Sequence, residues 1–353
     1  MKIIILGDLH LGARNNSEIM MYHQNKFFEF LFKYCKDNNI STILQLGDCF
    51  DNRRSINLRA LQFSFETLFD KLENNNIDFY TIIGNHDVFY KETLDVTSSD
   101  LMLRNYDKVH VFDQPTTVDF DGISFDLIPW ICNENRETIT KYIENSKSNY
   151  TIGHYEINGF KVFNDTMFEG GMTDKQLFKN YKQVFSGHFH LKSQKDNITY
   201  VGTPYQLNWS DANDNKGFII FDTEDESWNY VYTNQNYYHY ITYDDSQPGL
   251  NTDLNKVQME NSFIKIIVKN KTKPFLYNTY LNRIFNSKPA DVKIVEQSII
   301  DKANNIISEI KAENTLDLIN DYVDHIDYDK KDQLKQFMNQ LYNEAQQAQD
   351  DIE

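Results

Sequence analysis

Lys2-Ile3-Ile4-Ile5-Leu6-Gly7-Asp8-Leu9-His10 opens the chain, and its pattern recurs four more times. A short apolar run ends in glycine, and a residue with lone pairs to offer follows at once. Residues 42–46 lead into Gly47-Asp48, 79–83 into Gly84-Asn85-His86-Asp87, 150–152 into Gly153-His154, and 184–186 into Gly187-His188-Phe189-His190. Apolar runs of this length bounded by turn residues predict buried strands, and glycine lets the chain turn sharply where each ends.

Between the first strands lie helix-length amphipathic segments. Residues 17–38 carry Ile19, Met20, Phe27, Phe30, Leu31 and Tyr34 at helical spacing, and residues 57–75 carry Leu58, Leu61, Phe65, Leu68, Phe69 and Leu72. Strands alternating with helices predict βαβ units in a layered α/β sandwich. Ligands of such sheets gather beyond the carboxyl ends of the strands, so all five polar clusters are expected at one site. Further on, 199–201, 217–222 and 228–233 read as strands that complete a first domain over 1–240. Strands at 262–269 and 291–296 with a helix between them predict a small α+β subdomain over 241–297. The tail, 298–353, reads as helical, with Leu334, Phe337, Met338, Leu341 and Tyr342 forming one apolar stripe.

The 353 residues suit one large domain with smaller additions. The sequence shows no signal peptide and no run approaching the roughly 18 apolar residues of a membrane span, which predicts a cytoplasmic protein. Cys35, Cys49 and Cys132 are scattered and predict neither a disulfide scaffold nor a structural zinc site. The net charge of −17 argues against strong nucleic-acid binding by the chain alone. Residues 261–290 nevertheless hold Lys265, Lys269, Lys271, Lys273, Arg283 and Lys288 with no acid. This strip reads either as a solvated face or as a surface for a phosphate backbone.

Five of the nine histidines fall in the strand-end clusters, beside Asp8, Asp48, Asn85 and Asp87. A set of carboxylates, imidazoles and one amide suits borderline ions such as Mn²⁺, Fe²⁺ or Zn²⁺. Seven or eight ligands exceed one ion's needs. Two ions about 3.5–4 Å apart, sharing a carboxylate, are the economical solution and the arrangement that clamps a phosphate.

These five motifs, in this order, resemble the signature motifs of the calcineurin-like metallophosphoesterases. With Tyr200-Val201-Gly202-Thr203-Pro204-Tyr205 and Lys216-Gly217-Phe218, the chain further resembles the SbcD-type nucleases of double-strand-break repair, in the form carried by T-even-like phages. The resemblance implies a four-layer α/β/β/α sandwich with a small α+β capping subdomain and a C-terminal helical tail. It implies that Asp8, His10, Asp48 and His190 hold one divalent ion, and that Asp48, Asn85, His154 and His188 hold the other. Mn²⁺ is the expected ion and Mg²⁺ the alternative. His86 would face the scissile phosphate, with Asp87 orienting it. DNA would be the substrate, cut as a 3′-to-5′ exonuclease and single-strand endonuclease. An SbcC-type coiled-coil ATPase would be the partner, gripped by the tail stripe, with a homodimer inside a heterotetramer.

Arg53 and Arg54 read either as DNA contacts or as solvated loop charges. The tail stripe reads either as packing on its own domain or as docking on the partner. Two other readings compete with the nuclease. A cytosolic phosphoesterase acting on a nucleotide or phosphoprotein would keep the metal site, although Asn52 and Asp87 stand where phosphoprotein phosphatases have Arg and Glu. A partner-binding adaptor would make the site incidental, although its motifs are intact.

Overall fold

The computed structural model describes residues 1–163, 166–168, 175–212, 214–246, 254, 257–297, 323–324, 330–336 and 338. In chain order, β1 (Lys2–Leu6), β2 (Thr42–Gln45), β3 (Asp78–Ile82) and β4 (Val109–Phe112) form a parallel ladder. β5 (Thr116–Phe120) and β6 (Ile123–Ile128) then form a hairpin, and β7 (Tyr150–Gly153) lies parallel to β6. β8 (Lys161–Phe163) and β9 (Thr166–Met167) are a small separate ribbon. β10 (Gln183–Ser186), β11 (Ser193–Lys195) and β12 (Ile198–Tyr200) extend the sheet begun by β5. β13 (Gly217–Asp222) and β14 (Ser227–Tyr232) return to pair antiparallel beside β1. Two six-stranded sheets result, ordered β14-β13-β1-β2-β3-β4 and β11-β12-β10-β7-β6-β5.

Strand alternation sorts the apolar residues into layers. Ile4 and Leu6 of β1 pack in one cluster with Phe27, Phe28 and Leu31 of the helix Glu18–Asn38. Ile3 and Ile5 point the other way and join Leu44, Leu46 and Ile82 against Phe125, Leu127, Tyr150, Ile152 and Phe185 of the second sheet. On the far side of that sheet, Val184 and Tyr200 share a third cluster with Ile139 and Ile143 of the helix Arg136–Asn145. The order is helix, sheet, sheet, helix, as expected.

Two departures from the sequence reading are instructive. Residues 57–75 were expected to form one continuous helix. The segment starts as Leu58–Ser64, where the Asn57 side chain accepts the N–H groups of Arg59 and Ala60. It then widens into a single π-helical stretch at Phe65–Phe69 before resuming as Asp70–Asn74. This wide turn keeps Leu68, Phe69 and Leu72 all buried. In addition, β4, β5, β6 and the helix Arg136–Asn145 carried no sequence expectation.

The chain divides into two compact units. The first is Met1–His239 with 261–263, and the second is 240–260 with 264–353. β15 (Tyr238–Asp244), β16 (Phe263–Asn270) and β17 (Asp291–Glu296) form a three-stranded sheet that lies in the second unit apart from the first residues of β15 and β16. Ile241, Tyr243, Ile264, Ile266 and Val268 cluster with Tyr280 and Ile284 of the helix Pro274–Asn286. Of the tail stripe, Leu334 is half-buried and Met338 exposed, while Phe337, Leu341 and Tyr342 lie outside the described residues. Among the described residues, no helix is long and apolar enough to cross a membrane.

Phe125 is fully buried between the sheets, in ring contact with Phe120, Tyr150 and Phe221. Phe125→Ala is expected to cost about 3–5 kcal/mol of stability, read as a lowered urea midpoint against wild type.

Candidate metal centre

The sequence clusters come from the strand ends of two different sheets. β1 delivers Asp8 and His10, β2 delivers Asp48, and β3 delivers Asn85, His86 and Asp87. From the second sheet, β7 delivers His154, and β10 delivers His188 and His190. Three of these residues sit in the left-handed region that non-glycine residues seldom adopt: His10 (φ 46°), Asp48 (φ 53°) and His188 (φ 81°). Such backbone costs about 1–3 kcal/mol each and persists only where surrounding bonds impose it. Here they do. The Asp48 carbonyl accepts both the Leu9 and His10 N–H groups at 3.0 Å, and the Asp8 carboxylate accepts the His188 N–H at 3.0 Å. The glycines allow the approach, since a Cβ on Gly84 would lie 2.2 Å from Asp48 Oδ1 and one on Gly187 2.5 Å from Asp8 Oδ1.

The side chains converge through lone pairs. His154 donates from Nδ1 to the Leu46 carbonyl at 2.7 Å, which leaves Nε2 as an acceptor in the neutral ring. That Nε2 lies 2.9 Å from Asn85 Oδ1 and 3.3 Å from Asp48 Oδ2, both acceptors too. His188 Nδ1 approaches the same Asn85 oxygen at 2.9 Å. His10 Nε2 and His190 Nε2 face each other at 3.1 Å. Ligand atoms of Asp8, His10 and His190 all lie within 4.8 Å of one another, as do those of Asp8, Asp48 and His154. Asp8, His10, Asp48 and His154 are almost wholly buried. Facing lone pairs repel unless a cation or proton stands between them. The arrangement therefore fits divalent metal ions, with carboxylate, imidazole and amide as donors.

Proton affinities respond to the same crowding. Burial alone would lower the His10 and His154 pKa values, but Asp51, Asp48 and Asp8 around His10, and Asp48 and Asp8 around His154, raise both to about 9. Burial pushes Asp48 up, yet His154 and His10 beside it hold it well below the usual carboxylate range. Burial, with the cation-like His10 next to it, keeps His190 neutral far below its ordinary value.

His86 stands in the same cluster, its ring edge-on to His10 with centroids 4.9 Å apart. Its backbone N–H donates to Asp48 Oδ1 at 2.7 Å, and its Nδ1 donates to the Asp51 carbonyl at 2.7 Å, leaving Nε2 without a hydrogen bond among the described residues. Asp87 does not orient this ring as expected. Its fully buried carboxylate accepts the N–H groups of Gly84 (2.9 Å), Cys49 (3.0 Å) and Phe50 (3.2 Å), tying the second motif to the third. Neighbouring residues in a tight turn point apart, so adjacency in sequence misled here. Arg53 Nε donates to the Asn85 carbonyl at 2.8 Å, while Arg54 is exposed.

Sequence reasoning missed several supports. Asp51 Oδ1 lies 3.2 Å from His10 Nδ1. Gln24 donates to the carbonyls of Leu9 (3.4 Å) and His10 (3.2 Å), and the Tyr205 hydroxyl also donates to Leu9. Lys216, 2% exposed, donates to the His190 carbonyl at 2.7 Å and pairs with Asp211 (2.7 Å) and Asp214 (2.8 Å). Trp130 packs on His154 and His188 at centroid distances of 5.9 and 5.3 Å. A lysine flanked by Asp211, Asp214 and Gly217 was the one usable signal.

In the second unit the basic strip is diluted by acids from neighbouring strands. Lys271 pairs with Glu296 at 2.9 Å, Lys273 donates to the Asp245 carbonyl at 2.9 Å, and Lys265 lies 4.9 Å over the Tyr240 ring. Lys269 is exposed.

Residues 1–240 match the calcineurin-like phosphoesterase family model, and the chain belongs to that family, a phosphoester hydrolase by fold and by site. It is 35% identical over 353 residues to exonuclease subunit 1 of Enterobacteria phage T4, covering 98% of this chain and 100% of that protein. It is 26% identical over 259 residues to the D subunit of nuclease SbcCD of Staphylococcus epidermidis, with 64% of this chain and 66% of that one covered. It is also 26% identical over 254 residues to the DNA double-strand break repair protein Mre11 of Nanoarchaeum equitans, with 62% and 66% covered.

Two measurements check this account. His10 and His154 hold protons up to about pH 9 in the metal-free chain, and a ligand must be neutral to bind. Divalent-ion affinity is therefore expected to rise with pH up to about 9 and fall on acidification, by up to about tenfold per pH unit for each proton displaced. Calorimetry at pH 7 in buffers of different ionisation heat should show net proton release. Asp87→Asn cannot accept all three N–H groups through one oxygen. It should lower thermal stability by at least about 1–3 kcal/mol and weaken metal binding, whereas a role limited to steering His86 would spare both.

Proposed function

We propose that this chain is a metal-dependent DNA nuclease, cutting phosphodiesters as a 3′-to-5′ exonuclease and single-strand endonuclease. The observation that carries this reading is the convergence of Asp8, His10, Asp48, Asn85, His154, His188 and His190 around facing lone pairs, with His86 beside them. The relatives add the substrate, because they are named as an exonuclease subunit, a nuclease subunit and a DNA repair protein. Asp8, His10, Asp48 and His190 would hold one ion, and Asp48, Asn85, His154 and His188 the other, with Mn²⁺ preferred over Mg²⁺. Two bound divalent ions supply charge neutralisation of the phosphoryl oxygens and acidification of water.

The chain's own groups do the rest. With Nδ1–H committed to the Asp51 carbonyl, His86 would act through Nε2, passing a proton to the leaving oxygen of the cut strand. The bond from its backbone to Asp48 Oδ1 fixes His86 relative to the shared carboxylate. Arg53, held against Asn85, and Arg54 would meet phosphates flanking the cut. Lys265, Lys269, Lys271 and Lys273 would add a weaker contact, in keeping with a chain of net charge −17. Because two relatives are named as subunits, an SbcC-type coiled-coil ATPase is the proposed partner. The tail stripe Leu334, Phe337, Met338, Leu341 and Tyr342 would dock on it, within a cytoplasmic heterotetramer built on a homodimer.

The test is cleavage of a 3′-recessed duplex and of single-stranded circles with Mn²⁺, with and without the ATPase. His86→Ser is expected to cut kcat by about 10²–10⁴ while retaining metal affinity. A wild-type chain that leaves both DNAs intact yet hydrolyses a small phosphomonoester would overturn the proposal.

A further inference from the structure

The segment after His86 and Asp87 displays two large aromatic rings that the metal chemistry does not use. Phe89 is 38% and Tyr90 52% exposed, and their rings meet edge to face with centroids 4.8 Å apart. The base of this loop is firmly held. Val88 bridges Thr97, the Phe89 N–H donates to the Val96 carbonyl at 2.9 Å, and the Ser98 N–H donates to the Asp87 carbonyl at 2.8 Å. Facing it is the turn that follows Asp48. The exposed Arg54 places its guanidinium 5.9 Å from the Phe89 ring centre, and its neighbour Arg53 is bonded to the Asn85 carbonyl. Two rings and a guanidinium thus lie together in the loops that directly follow the motifs of Asp48 and His86.

The exposed parts of these rings gain nothing from packing, and binding residues are disproportionately carried on loops held by a rigid base. Their chemistry matches nucleobases. Every base offers a π-face, so stacking on aromatic side chains binds a strand without reading its sequence, and an arginine beside a ring can serve base and phosphate together. The loop also carries exposed Lys91, Glu92 and Asp95. Its net charge is acidic, which favours recognition of bases over a grip on the backbone. In a duplex the base faces are already stacked on one another, whereas an unpaired strand leaves them open. We propose that Phe89 and Tyr90, flanked by Arg54, form a stacking platform for unpaired nucleobases of the strand whose phosphate lies at the metal centre. The site then selects single-stranded or frayed ends over paired ones. This inference rests on the nuclease reading above.

The experiment compares wild type, the double variant Phe89→Ala/Tyr90→Ala, and the exchange Phe89→Tyr/Tyr90→Phe, each as the full chain with Mn²⁺. The substrates are a single-stranded oligonucleotide and the same oligonucleotide made abasic around the cut. The alanine double variant is expected to raise KM on the base-bearing strand by about tenfold or more, to leave the abasic strand unaffected, and to match wild type in thermal stability. The exchange variant should behave as wild type. A 2-aminopurine placed near the cut, read with Ca²⁺ in place of Mn²⁺, should be quenched on binding to wild type and not to the alanine variant. An unchanged KM on the base-bearing strand would overturn the platform, as would equal losses on both strands. Wild type that cuts neither strand would overturn the nuclease reading, and the platform with it.

Discussion

The centre of this protein is a volume in which acceptors are forced to face acceptors. Two carboxylates, four imidazoles and an amide oxygen are brought to distances such as 2.9, 3.1 and 3.3 Å, most of them out of contact with water. Left to themselves these groups would separate, or would gather protons as His10 and His154 do. That they stay together is a demand on the scaffold, and many of the polar features of the first unit can be read as answers to it.

The answers are of three kinds. Backbone groups are recruited to fix orientation: the Leu46 and Asp51 carbonyls set which nitrogen of His154 and His86 is exposed to the cluster. Buried polar side chains brace the loops from behind, Gln24 and Tyr205 under the first motif, Asp87 between the second and third, and Lys216 under the last. The two apolar layers anchor the strands from which the loops spring. Removing a brace is therefore expected to disturb the centre from a distance, because the strained backbone at His10, Asp48 and His188 has no local reason to persist.

Much of this was legible in the sequence, and the failures have physical causes. The candidate ligands announced themselves because each stands within three residues of a glycine that ends a buried strand, a local pattern that survives without knowledge of neighbours. The layered α/β class followed from strands alternating with helix-length segments, and the four-layer order from the family resemblance. What stayed hidden depended on partners far off in the chain. Asp51 and Trp130 look like ordinary loop residues until the loops of neighbouring strands are set side by side, and the motif around Lys216 gives no hint of the carbonyl it braces. The strip over 261–290 looked purely basic because Asp244, Asp245 and Glu296 lie outside that window and return to it through strand pairing. β5 was silent because its alternation of Thr, Val and Asp is that of a half-exposed edge.

The division of the centre between two sheets also bears on synthesis. Asp8 meets the His188 backbone across 180 residues, so the nascent chain carries Asp8, Asp48 and Asn85 long before any imidazole from the second sheet emerges. Until then the early half offers Asp8, His10, Asp48 and Asn85, a set richer in oxygen than in nitrogen. Only when β7 and β10 have docked does a nitrogen-rich pocket exist to discriminate. The full donor set on which a choice of ion would rest therefore exists only once the second sheet is in place, in a nearly finished chain rather than a half-made one.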